Sequence, residues 1–182
     1  MDIGLLRRWY EQGKSEQLLT ACRSEEPIPE VLFFVSSALI DLGREDEARD
    51  HLEAGLSYIE DKVLEADFLA LLAFLQARRG NFPGYLEGAQ KAVQLAPTPL
   101  TLYHWGLALL DPDASLEALR SALKLAEENG DRHAATRNAF ALGVPLLRLG
   151  RYREALHWLR YGEMRCHHEG LQTALLYTNL EC

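Results

Sequence analysis

The residues able to bind a metal or drive a reaction are few, and their spacing excludes most of that chemistry. Cys166, His167 and His168 form the best metal-ligand group. Adjacent residues on a helix diverge by about 100 degrees around its axis, so the three do not share one ion. A solvated helix end, where histidine suits the negative pole of the dipole, accounts for them instead. His104, His133 and His157 stand in helical context without an identifiable nucleophile and orienting carboxylate, so no catalytic triad follows. Glu25-Glu26, Asp46-Glu47 and Glu127-Glu128 are neighbours in sequence, whereas a glycosidase pair faces across a cleft. Phosphate-binding loop, dinucleotide fingerprint and metalloprotease histidine pair are all missing from the sequence. Arg132, Arg137, Arg148, Arg151, Arg153, Arg160 and Arg165, with Tyr152 and Trp158 interleaved, fall on several helix faces and read as solvated surface, not as a nucleic-acid stripe. The chain is therefore expected to be no enzyme and to carry no metal or cofactor.

Composition points the same way. The 182 residues are 48% hydrophobic and 25% charged, which suits one folded domain with a sizeable core. The formal charge is -8, and the acidic excess lies before Gly130, so general affinity for nucleic acid or an anionic membrane is not expected. Three widely spaced cysteines, Cys22, Cys166 and Cys182, suit reduced thiols and a cytoplasmic setting. The longest apolar run, Phe68 to Leu75, is far below the roughly 20 residues needed to cross a bilayer.

What positions these side chains is a succession of helices. Apolar residues recur at intervals of three and four, and no stretch alternates for long enough to make a strand. Gly13, Gly43, Gly80, Gly130 and Gly150 suit the left-handed position after a helix end, while Pro29, Thr98-Pro99, Ser115 and Asp131 mark helix starts. These signals predict hairpins at about 2–25, 29–59, 61–96, 99–129 and 131–168, with a last helix at 170–182. Pro145 lies inside the ninth helix, predicted at 131–149, and cannot donate to Ala141, so a bend is expected there.

The turns recur as Leu42-Gly43-Arg44, Arg79-Gly80-Asn81 and Leu149-Gly150-Arg151. Small residues pair between the helices of a hairpin: Ser36 with Ala48, Gly106 with Ala118, and Gly143 with Ala155. Close antiparallel crossing needs small residues on both helices. In this the chain resembles the tetratricopeptide repeat family, whose unit is about 34 residues long. Trp105, Leu142, Tyr152, Leu159, Phe82 and Pro97 stand at the family's large-apolar, aromatic and terminal-proline positions. The resemblance implies an all-α, right-handed solenoid of about five hairpins plus a last helix, spanning nearly the whole chain as one repeat domain. Tyr85 departs from it at a small position, Asp111-Pro112-Asp113 replaces a glycine turn, and Leu6 and Leu18 occupy the paired small positions of the first hairpin.

In such an array the first helix of each hairpin lines the concave wall. The expected groove residues are Phe33, Phe34, Ser37 and Ile40 in the second hairpin, then Ala70, Leu71, Phe74 and Arg78 in the third. The fourth offers Tyr103, His104 and Leu107, and the fifth Arg137, Phe140, Val144 and Arg148. Such a wall is apolar and aromatic, suited to an apolar peptide, helix or neighbouring domain, with the three arginines available to pair with its carboxylates. Ser37, Phe74, Leu107 and Val144 replace the asparagine of the family's carboxylate clamps, which argues against chaperone tails as ligands.

The last helix, with Leu171, Ala174, Leu175, Tyr177 and Leu180, is apolar on more than one side. That predicts docking, either against another copy of the chain or within a longer protein of which this is the N-terminal part. Glu128 to Arg132, Leu147 to Leu156 and Tyr177 to Leu180 resemble the sensor arrays of bacterial transcription regulators. The expected activity is thus noncatalytic binding of a protein or peptide, with a ligand- or peptide-sensing regulatory array as the alternative.

Overall fold

Helix boundaries follow from caps written into the local sequence. The computed structural model describes residues 2–23 and 28–169, and among these every regular element is an α-helix. The first helices of successive hairpins are α1 (Ile3–Glu11), α3 (Pro29–Asp41), α5 (Lys62–Arg78), α7 (Pro99–Ala108) and α9 (Arg132–Ala141), the last continued by the short α10 (Gly143–Arg148). Their partners are α2 (Ser15–Cys22), α4 (Glu45–Leu56), α6 (Phe82–Leu95), α8 (Pro112–Glu128) and α11 (Tyr152–Glu169).

All five expected glycines take positive φ, between 66° and 78°. At Gly43, the backbone N–H of Gly43 donates to the Ile40 carbonyl at 3.0 Å and that of Arg44 to Leu39 at 2.8 Å, so two otherwise unsatisfied carbonyls are closed before α4 begins. Asp61, Asn81, Thr98, Asp111 and Asp131 cap α5 to α9 by accepting backbone N–H bonds. The fourth hairpin turns earlier than the sequence suggests: Asp111 is the cap and Pro112 the first helical residue, while Ser115, expected to start the helix, donates its hydroxyl to the Gly106 carbonyl at 2.7 Å. The bend expected at Pro145 takes the form of a break at Leu142, between α9 and α10.

Antiparallel partners approach most closely where a side chain is missing. Ser36 and Ala48 are fully buried at their crossing. In the third hairpin Tyr85 occupies the expected small position, and the approach moves one turn along: a Cβ on Gly88 would lie 2.7 Å from that of Ala73. One apolar core runs through α1 to α5 around Leu6, Leu39, Phe68 and Leu75, and a second through α7 to α11 around Leu119, Leu142 and Leu146. Leu6 and Leu18 of the first hairpin are fully buried, so large residues fill the positions that later hairpins give to small ones.

Neighbouring hairpins are also tied along the turn edge. Arg78 donates to Glu45 at 2.7 Å, Arg79 pairs with Asp46, and Arg148 donates to the Leu110 carbonyl at 2.7 Å, near the C-terminal end of α7. Exposed ion pairs of this kind contribute at most about 1 kcal/mol each, so packing carries the stack. No helix of the described residues is long and apolar enough to cross a membrane. The predicted helix at 170–182, with Cys182, and the side chains of His167 and His168 lie outside the described residues.

Candidate functional site

The inner wall differs from the open apolar surface expected of it. Phe34, Ser37, Ile40, Ala70, Leu71, Tyr103, His104, Arg137 and Phe140 are buried. Phe33, Phe74, Leu107 and Val144 are half-buried, and only Arg78 and Arg148 are exposed. Two causes are visible. The aromatic side chains insert between neighbouring helices instead of standing out from them: the Phe140 ring fills the space that a Cβ on Gly162 would occupy, and Phe34 lies under Tyr10 with ring centroids 5.9 Å apart. In addition, α1 packs on α3, and its Tyr10 reaches His133 of α9 at 5.0 Å in an edge-on contact. Arg78 and Arg148 are engaged by Glu45 and by the Leu110 carbonyl just after α7, which corrects the expectation that both stand ready for a ligand.

The concave side therefore has two parts. Toward the turn edge, Phe74 of α5, Leu107 of α7 and Val144 of α10 form a half-open apolar row. Toward the N-terminal ends of α3, α5, α7 and α9, these helices and α1 line a half-open cavity of about 220 Å³. Phe33, Phe34, Leu64 and Leu100 supply its apolar lining, and Arg7, Tyr10, Glu11, Glu30, Asp67, Asp131, His133 and Arg137 its polar groups.

Burial sets the charge state of this region. His104 is 2% exposed, with Nδ1 3.2 Å from the Tyr85 hydroxyl and its ring 5.3 Å from that of Phe74. Burial, and secondarily the Arg137 charge, push it down to about 3, so it is neutral at physiological pH. The same two causes hold His133 at about 3, with Asp131 opposing them weakly. Asp67 moves the other way: burial raises it to about 6, against a hydrogen bond donated by Thr98 and the pull of Arg137. Arg137 is 6% exposed, and its guanidinium carbon sits 4.6 Å above the Tyr103 ring. Its Nε is buried without a hydrogen-bond acceptor.

Arg137 was legible as an inner-wall arginine. Tyr10, Asp67 and His133 were not, although Asp67 had a signal: it is the carboxylate that directly precedes the apolar run Phe68 to Leu75.

The sequence matches no protein-family model and no curated protein. Its fold is nevertheless similar to solved ones. A crystal structure of MamA superimposes with a TM-score of 0.51 at 16% identity, covering 93% of this chain and 97% of that one. The APC/C hetero-tetramer Cut9-Hcn1 superimposes with a TM-score of 0.54 at 15% identity, covering 96% of this chain and 42% of that one. Both neighbours are helical repeat proteins of the tetratricopeptide type. The protein is an all-α, tetratricopeptide-like solenoid of antiparallel helix hairpins.

Proposed function

We propose that this chain is a noncatalytic protein-interaction module that holds an apolar peptide, helix or neighbouring domain along the turn-side half of its concave wall. One observation carries the reading: Phe74, Leu107 and Val144 come from three successive hairpins and remain half-open, whereas Phe34, Leu71, Tyr103 and Phe140 are buried. An apolar row continuous across repeats is the kind of surface that a partner helix covers. Replacing Leu107 and Val144 together with glutamate tests it. Partner capture from native lysate is expected to fall at least tenfold with the circular dichroism spectrum unchanged, and equal capture by the variant removes this row from the function.

A regulatory reading is favoured by a different feature, the half-open cavity beside α1. An array closed from its first hairpin to its fifth is suited to report an effector through its curvature, because a ligand there touches five inner helices at once. A radius of gyration that does not change when a ligand occupies the cavity would remove this reading.

A further inference from the structure

Arg137 is only 6% exposed, and among the described residues its Nε–H has no hydrogen-bond acceptor. A guanidinium carries its five N–H donors in a planar fork, and a buried donor left without an acceptor is costly. The Tyr103 ring satisfies one face of the plane and none of the donors. Asp67 is near enough to feel the charge but makes no ion pair with it within the described residues, and its carboxylate accepts from the Thr98 hydroxyl. The cavity that Arg137 lines is larger than the roughly 150 Å³ that admits benzene.

We propose that this cavity is a binding site for a small carboxylate with an apolar body, whose carboxylate pairs with Arg137 and whose hydrocarbon part rests on Phe33, Leu64 and Leu100. Planar, two-pronged pairing matches carboxylate to guanidinium and completes the buried charge. A bare inorganic anion fits less well. It would leave the apolar wall uncovered and would face Glu11, Glu30 and Asp131, which also line the space. Those same acids suit the ammonium of a zwitterion, so a free carboxylic acid and an α-amino acid are two sources of one chemistry.

The inference deepens the regulatory reading, and the two fail separately, since binding is read by calorimetry and curvature by scattering. The whole chain is titrated with 3-phenylpropionate, L-phenylalanine, 3-phenylpropionamide and inorganic phosphate. Saturable one-site binding of 3-phenylpropionate, of L-phenylalanine or of both is expected, with the amide at least tenfold weaker than the acid. Preference for the amino acid assigns the zwitterion, and preference for 3-phenylpropionate the simple acid. The Arg137→Gln variant is expected to lose at least tenfold in affinity for the acids. Absence of saturable binding by both acids, equal binding of acid and amide, or phosphate binding alone overturns the proposal, and the acid-amide comparison stands even if the variant fails to fold.

Discussion

Two neutral histidines inside the inner wall make the fold acid-sensitive in a window that can be calculated. His104 and His133 are both depressed from 6.5 to about 3 by burial. Each therefore contributes stability that is present above pH 6.5 and lost progressively as pH falls toward 3, because the unfolded chain takes up a proton that the folded chain refuses. Between pH 7 and pH 5 the loss is about 2 kcal/mol for each histidine, or about 4 kcal/mol together. Asp67 opposes it. Its carboxyl rises from 3.8 to about 6 in the folded state, so its contribution grows as pH falls through 6 and returns about 1 kcal/mol over the same interval. The net expectation is a loss of about 3 kcal/mol, a large share of the 5–15 kcal/mol typical of a domain. Urea denaturation followed by circular dichroism at pH 7 and pH 5 measures it. A double variant, His104→Gln with His133→Gln, is expected to show a much flatter pH dependence whatever its absolute stability. A wild-type loss below about 0.5 kcal/mol, or an unchanged slope in the double variant, refutes the reasoning.

Gly88→Ala adds a methyl group 2.7 Å from Ala73 Cβ and 3.3 Å from its Cα, with no flexible chain end to yield. Overpacking of about 1–3 kcal/mol then outweighs the helix-propensity gain of about 1 kcal/mol, and a net loss of up to about 2 kcal/mol is expected in the urea midpoint. Gly143→Ala meets Leu159, a half-buried side chain able to turn aside, and is expected to be close to neutral in the same assay. Asn138 is fully buried with both side-chain polar atoms unpartnered. Asn138→Leu keeps the branched outline without polar atoms and is expected to raise stability by about 1 kcal/mol, and a lower melting temperature would contradict that.

The features that proved readable from sequence are local. A glycine at positive φ after each of five helices, and a capping Asp, Asn or Thr at the start of α5 to α9, act within a few residues, so Gly43 or Asp131 declares its role whatever surrounds it. The state of the inner wall is not local. Whether Tyr103 or Phe140 stands in a groove or between helices depends on tens of degrees of rotation about the helix axis, which the three-to-four periodicity does not resolve. The cavity depends on α1 crossing to α9, a contact between residues more than a hundred positions apart, and no pattern near Tyr10 or His133 announces it. Asp111 illustrates an intermediate case, since its capping role was encoded next to it but the familiar glycine signal was absent.

The Tyr10–His133 contact alters what kind of object the array is. In an open stack each unit leans only on those beside it, so pieces can be trimmed from an end with a graded loss. Here the two extremities brace one another, as the ends of a bent bow are held by its string. Removing the first hairpin would not merely shorten the molecule: it would strip the Tyr10 contact from His133 and open one wall of the cavity at the far hairpin.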